Sequence, residues 1–167
     1  MPFLMVDKVE AKVFAFDRQG RLVGVAPALV GLGKGDDSPS GIGDRKLSSI
    51  SPAERVTPAG RFVAALGENL GGKEILWVDY EAAISLHRVD TATRAERRLQ
   101  RLATPSASDN RISYGCINVP VAFYETVVAP LFRGTAGVVY ILPEVRSVEE
   151  VFFSPPVRLA RGGTPPD

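Results

Sequence analysis

The chain has 167 residues, a length that fits one domain able to bury a substantial core without disulfides or metals. Hydrophobic residues make up 45% and charged residues 23%, and the formal net charge of +1 gives no bulk attraction to nucleic acid or to an anionic membrane. A single cysteine excludes an intramolecular disulfide, and with only one histidine in the chain no zinc cluster or other metal site is expected. No apolar run approaches the roughly 18 residues that span a bilayer. Residues 1–7 carry neither the basic stretch nor the apolar core of a secretory signal.

Sixteen glycines and 13 prolines are spread along the chain, which favours short strands joined by turns. Residues 8–16 are rich in valine and phenylalanine and residues 21–30 are again apolar. Asp17, Arg18, Gln19 and Gly20 between them supply a turn, so a hairpin is expected. The stretch 31–55 is dominated by Gly, Ser, Asp and Pro and reads as a long surface loop. Its Gly31, Gly33 and Gly35 do not make a phosphate loop, because no Gly-Lys-Ser/Thr follows. A second strand-rich block spans 61–86, broken at 67–73, with Trp77 and Tyr80 read as core or groove wall.

Ala92, Ala95, Leu99 and Leu102 recur at helical spacing, predicting a helix over 91–102 that Asp90 or Thr91 caps and Pro105 ends. A second helix is expected over 120–132, with Asn118 or Val119 at its cap and Phe123, Val127, Val128 and Leu131 on its apolar face. Residues 137–142 read as a buried strand. The expected organisation is a domain over 1–155 and a Pro/Gly-rich tail over 156–167. The fold class is mainly β with one or two peripheral helices.

The reactive residues are few. Cys116 lies in Ser113-Tyr114-Gly115-Cys116-Ile117-Asn118-Val119-Pro120, and His87 is upstream. A cysteine attacks carbonyls as thiolate, so its pKa must fall from about 8.5, and an imidazole that takes the proton achieves this. Gly115 leaves room beside the sulfur, and the amides of Tyr114, Gly115 and Cys116 are candidate oxyanion donors, each worth roughly 3 kcal/mol. A helix starting near Asn118 or Pro120 would add its positive end. On these residues alone a buried structural thiol and a nucleophile both remain open.

The segment Ser113–Val119 resembles the Ser-x-Gly-Cys-x-[Arg/Asn]-apolar signature of the L,D-transpeptidases (the YkuD-like family), peptidoglycan cross-linking enzymes with a cysteine nucleophile. Three further features follow that family's order. Residues 55–62, Arg-Val-Thr-Pro-Ala-Gly-Arg-Phe, are similar to its Thr-Pro-x-Gly-x-Phe segment. His87 ends a strand as its general base does, and residues 134–141 are similar to its closing Gly-Thr-x-Val-x-Ile strand. The opening hairpin followed by Gly31 and Gly33 also fits, so the resemblance covers roughly residues 9–142.

The resemblance implies an L,D-transpeptidase-like β-sandwich or barrel. It implies Cys116 as nucleophile, His87 as base, Ser113 as the residue positioning loop or imidazole, and oxyanion amides from Tyr114, Gly115 and Cys116, without a cofactor. The implied partner is a peptidoglycan tetrapeptide stem, whose third-residue carbonyl is attacked with expulsion of D-alanine. An amine of another stem, a protein lysine or water then resolves the acyl-enzyme. Inhibition by carbapenems and a periplasmic or cell-envelope location follow from the same resemblance. Three alternatives stay open: an L,D-carboxypeptidase or amidase on this fold, a catalytically weak scaffold binding cell-wall peptides, and a cytosolic cysteine hydrolase.

Four features depart from the family pattern. Tyr114 stands where histidine is frequent, Arg88 follows the base histidine where a small residue is usual, and Asn118 stands where many members carry arginine. The interval from His87 to Cys116 is also longer than usual. It holds Arg88, Arg94, Arg97, Arg98, Arg101 and Arg111 against Asp90, Glu96 and Asp109. This segment reads either as a lid pairing guanidinium groups with stem carboxylates or as a solvated face of mixed charge. Arg111, Asn118, Tyr114 and Arg88 are the expected substrate contacts, with Asn110 a further candidate.

Overall fold

The computed structural model describes residues 1–154; the expected tail over 156–167 lies outside them. Alternation of buried and half-buried residues begins at once in β1 (Phe3–Asp7), where Leu4 and Val6 are fully buried. The Asp7 carboxylate then accepts the Val9 and Glu10 amides and turns the chain into β2 (Lys12–Phe16). Residues 8–11 are therefore turn rather than the start of the expected hairpin strand. The second turn is as expected: Asp17 accepts the Gln19 and Arg21 amides, Gly20 adopts φ +78°, and β3 (Leu22–Pro27) follows.

The remaining strands are β4 (Val30–Gly31), β5 (Gly60–Glu68), β6 (Glu74–Asp79), β7 (Ile84–Arg88), β8 (Arg111–Ser113), β9 (Ile117–Val119) and β10 (Gly137–Ile141). Eight of them form one sheet in the order β3-β2-β1-β10-β5-β6-β7-β9, while β4 pairs with β8. The nine-residue β5 joins the two halves, since Gly60 to Ala64 face β10 and Ala65 to Glu68 face β6. Beyond β3, Leu29 bridges Asn118 of β9, so the two ends of the row meet and the sheet almost closes into a barrel.

One helical segment plugs this sheet: α2 (Val121–Phe123), a π-helical turn (Tyr124–Val128) and α3 (Ala129–Phe132). Pro130 lacks the N–H that would continue the regular ladder, and the helix widens just before it. Phe123, Tyr124, Val128, Ala129 and Phe132 join Leu4, Val13, Leu76, Leu86, Ile117 and Val139 in the main core. Pro120 is the cap, because Ile117 to Val119 are strand; the cap expected at Asn118 or Val119 is not formed. The last helix among the described residues is α4 (Val148–Phe152). Trp77 and Tyr80 stack at 4.7 Å with Tyr80 70% exposed, so Tyr80 is not core.

The helix expected over 91–102 is much shorter. Asp90 accepts the Ala92 amide, a 3-10 turn covers Arg94–Glu96, and Arg97 adopts φ 51° before α1 (Arg98–Ala103) begins. Of the predicted apolar face only Leu102 is buried, against Leu29, Val89 and Ile112; Leu99 is 57% exposed. Thr104 is extended, as a residue before proline prefers.

The polar stretch 31–55 is a loop, yet it is anchored rather than loose. It contains 3-10 turns at Ile42–Asp44, Leu47–Ser49 and Pro52–Glu54, and it buries Ile42 and Ile50. Asp36 within it accepts the amides of Glu144, Val145 and Arg146 and the ammonium of fully buried Lys8 at 2.9 Å. Lys8 also donates to Thr57 O at 2.9 Å, and Arg111 pairs with Glu144. Among the described residues no helix is long and apolar enough to cross a membrane.

Candidate active site

The parallel pairing of β7 with β9, with His87 opposite Asn118, sets the residues before β9 beside the start of β7. Cys116 immediately precedes β9, so its thiol falls next to Ala83 and Ser85. The Sγ donates to Ala83 O at 3.5 Å and accepts from Ser85 Oγ at 3.6 Å. Ser85 and His87 are two apart on one strand and share a face, which brings the imidazole to the same sulfur. The thiol is half-buried and unpaired with any other cysteine.

Three side chains fix the backbone of the cysteine loop. Ser113 Oγ donates to Cys116 O at 2.6 Å and accepts the Gly115 amide at 3.1 Å. Thr57 Oγ1 donates to Gly115 O at 2.7 Å while accepting the Gly31 amide at 2.8 Å. Asn118 Nδ2 approaches Cys116 O at 3.4 Å. Gly115 itself has φ +130°, and a Cβ there would lie 2.7 Å from Ile84 and 2.8 Å from Val56 O, so only glycine fits. Ala83, whose carbonyl holds the thiol, is one of three non-glycine residues with positive φ among those described.

The electrostatics polarise this pair. Burial pushes the Cys116 thiol up, but hydrogen bonding and charge from His87, helped by Ser85, more than reverse it and leave its pKa below the ordinary value. Burial likewise pushes the His87 imidazole down, and Cys116 together with the Arg88 carbonyl outweighs it, so its pKa is raised. Both shifts favour a thiolate–imidazolium pair. His87 Nδ1 lies 2.7 Å from Arg88 O; assigned as the donor there, it leaves Nε2 as the basic nitrogen.

The expected site residues divide. Cys116, His87, Ser113, Gly115 and Tyr114 converge at one end of β7 and β9. The Gly115 amide is already given to Ser113, whereas the amides of Tyr114 and Cys116 meet no acceptor among the described residues. The Arg55 guanidinium lies 4.0 Å from the Tyr114 ring centre.

Arg88 is directed elsewhere. It lies 4.1 Å from the Tyr124 ring and bonds Glu125 Oε1 at 2.5 Å and Glu74 O at 2.8 Å, because neighbours on a strand face opposite ways. Arg111 is held by Glu144 and Lys8 O, lining a cavity of about 400 Å³ that neither Cys116 nor His87 borders. Asn118 is fully buried, with its Oδ1 accepting from Arg98 at 2.7 Å. The positive end of the helix starting at Val121 is separated from the thiol by β9, beyond the first turn within which a helix dipole acts.

Sequence reasoning missed Ala83, Ser85 and Thr57 as a loop anchor, and it grouped Arg98 with the lid arginines without foreseeing its bond to Asn118. Ser85 carried a signal, the period of two from His87; nothing in the sequence singled Arg98 out from the other arginines of its segment. Among the described residues no group of three or more His, Cys, Asp or Glu side chains is placed to hold a metal ion.

Comparison with known proteins fixes the class of fold. No family model matches the chain, and no curated protein matches it. Among solved structures it is similar to the L,D-transpeptidase (residues 123–326) from Xylanimonas cellulosilytica, with 15% identity and a TM-score of 0.51 over 84% of this chain and 59% of that one. It is similar as well to the helical cell shape determining protein Pgp2 from Campylobacter jejuni, with 14% identity and a TM-score of 0.53 over 87% of this chain and 49% of that one. The K307A mutant of Pgp2 gives 13% identity and a TM-score of 0.55, over 87% and 48%. The chain therefore has the L,D-transpeptidase fold, and it spans between 48% and 59% of the length of these structures.

Proposed function

We propose that this protein is a cysteine acyltransferase acting on peptidoglycan stem peptides in the cell envelope, an L,D-transpeptidase in activity as in fold. The observation that carries the reading is the polarised Cys116–His87 pair at the end of β7 and β9, next to two unused amides. The Cys116 thiolate attacks the carbonyl of the third stem residue, and the oxyanion is held by the Cys116 and Tyr114 amides. His87, protonated in the pair, gives its proton to the departing D-alanine nitrogen as the C–N bond breaks, leaving a thioester. An acceptor amine then attacks the thioester carbonyl while neutral His87 takes the amine proton. Collapse releases the thiolate and forms the new amide bond. Water in place of the amine gives hydrolysis by the same steps.

Ser113, Thr57 and Ser85 act as positioning residues in this scheme, the first two on the loop backbone and the third on the sulfur.

The test is intact-protein mass spectrometry after incubation with a carbapenem, followed by turnover of a disaccharide tetrapeptide with and without an amine acceptor. The expected result is a stoichiometric adduct on the wild type, absent from Cys116→Ala and formed more slowly in His87→Ala. D-alanine release should depend on Cys116, and product mass distinguishes transfer from hydrolysis. An unmodified wild-type protein that also fails to release D-alanine overturns the proposal.

A further inference from the structure

We infer that Arg98, supplied by the inserted segment between His87 and Cys116, is a positioning residue of the cysteine site. Through Asn118 it holds the Cys116 carbonyl, and it fixes a positive charge beside the imidazole. The inference rests on the proposed role of Cys116 and adds to it a working part from outside the motif.

The geometry runs inward from α1. Arg98 Nη1 donates to Asn118 Oδ1 at 2.7 Å, Asn118 Nδ2 approaches Cys116 O at 3.4 Å, and Ser113 Oγ holds the same carbonyl from the other side at 2.6 Å. Arg98 Nε donates to Glu96 Oε2 at 2.6 Å, and the arginine side chain is only 13% exposed. One planar fork thus ties the turn before α1 to β9 from two separate nitrogens, a fixed geometry that the flexible point charge of a lysine does not reproduce. Asn118 is fully buried and its backbone is bonded in both directions to Leu29, so it transmits a push instead of absorbing it.

The aim of Arg98 is set by packing. Leu102 lies one helical turn further along the same face and is buried against Leu29, Val89 and Ile112, while the neighbouring Arg94, Arg97 and Leu99 are exposed. The segment is consequently docked by one leucine and inserts one guanidinium; Arg101 folds back onto Glu96 O and Asp109 O. Charged or titratable groups acting on His87 are the Cys116 thiol from its own loop and Arg98 from α1, and Arg98 opposes the protonation that Cys116 favours. Arg88, the next residue, is engaged by Glu74 and Glu125 on the opposite face.

Because His87 is the one histidine in the chain, its ring protons report its titration without assignment variants. The experiment compares wild type, Arg98→Lys, Arg98→Gln and Glu96→Gln by proton NMR titration of His87, by iodoacetamide alkylation of Cys116 across pH, and by carbapenem acylation. The His87 midpoint should rise in Arg98→Gln, where the opposing charge is lost, and stay close to wild type in Arg98→Lys. It should fall in Glu96→Gln, which leaves the guanidinium uncompensated. Acylation should slow by roughly tenfold in Arg98→Gln and less in Arg98→Lys, because the loop carbonyl loses its brace.

A His87 midpoint unchanged in all three variants, with acylation at the wild-type rate, overturns the inference and leaves Arg98 a structural tie. If the Arg98 variants lose their cooperative melt, Glu96→Gln decides alone through the downward shift, Glu96 being partly exposed. Should the wild-type thiol resist both reagents, the proposed acyl transfer fails, while the His87 titrations still decide whether Arg98 acts on the imidazole.

Discussion

Two buried polar regions of this molecule are built on opposite principles. Around Lys8, every strong group is satisfied: the ammonium meets Gly35 O, Thr57 O and Asp36, and Asp36 accepts three successive amides from residues 144–146. Around Cys116, the thiol's contacts to Ala83 O and Ser85 Oγ are long, 3.5 and 3.6 Å, two neighbouring amides meet no acceptor among the described residues, and the backbone is held at positive φ at Gly115 and Ala83. The first region ties the start of the chain, the long loop and the end of β10 together. The second leaves donors and a thiol unsaturated, as the proposed acyl transfer requires. Saturation marks a structural network and deliberate incompleteness marks a reactive one, although both are walled by the same residue, Thr57, which offers its carbonyl to Lys8 and its hydroxyl to the cysteine loop.

The sharpest way to break this comparison is to unbalance the saturated side. Lys8→Met leaves the Asp36 carboxylate buried without its ammonium partner and should destabilise the fold by about 3–5 kcal/mol in chemical denaturation. A loss below about 1 kcal/mol would show that the network is not what holds these segments. Gly115→Ala is next, forcing a Cβ against Ile84 and Val56 at φ +130°. A cost of about 1–3 kcal/mol is expected, with a large fall in alkylation rate at Cys116 as the loop shifts. Unchanged alkylation in a folded Gly115→Ala protein would mean that the loop conformation does not govern the thiol.

Acid separates the regions by sign. The amides of residues 144–146 and Lys8 outweigh burial and hold the Asp36 carboxyl well below its usual range. Its contribution is complete above the unfolded value of about 3.9 and is lost as pH falls through the depressed folded value. The thiol–imidazole pair behaves differently: thiolate reactivity should rise below the ordinary thiol range and level off between the lowered Cys116 and raised His87 values. Alkylation rate against pH checks this directly, and a single rise near 8.5 would contradict it. The smallest effect is expected from Ser85→Ala, which removes one weak contact to sulfur. Alkylation near neutral pH should slow by roughly two- to threefold, with stability nearly unchanged.

Much of this could be read from the chain where patterns are local. The Asp17 to Gly20 turn, the break between β5 and β6, and the helix after Pro120 follow from turn residues and apolar periodicity over a few positions. The expectation failed where a single backbone angle intervened. Positive φ at Arg97 cut the helix over 91–102 to six residues, and it moved Arg98 to the position that reaches Asn118. β1 was also overlooked, since its alternation spans only five residues and, of its two partners, β10 lies at the other end of the chain while the turn to β2 was read as strand.

By itself the sequence determined the inventory: one thiol, one imidazole, a glycine before the thiol, and an order of motifs that resembles one fold. Those are properties of composition and near-neighbour spacing, and they survive any arrangement in space. Tertiary structure alone decided which groups meet. The parallel register of β7 with β9 puts Ser85 and His87 at the sulfur, strand alternation turns Arg88 away, and Glu144 with Lys8 O claims Arg111. Contacts between residues far apart in the chain depend on sheet register and on the packing of distant side chains such as Leu102. No local pattern encodes either, because each is fixed by the free energy of the whole core.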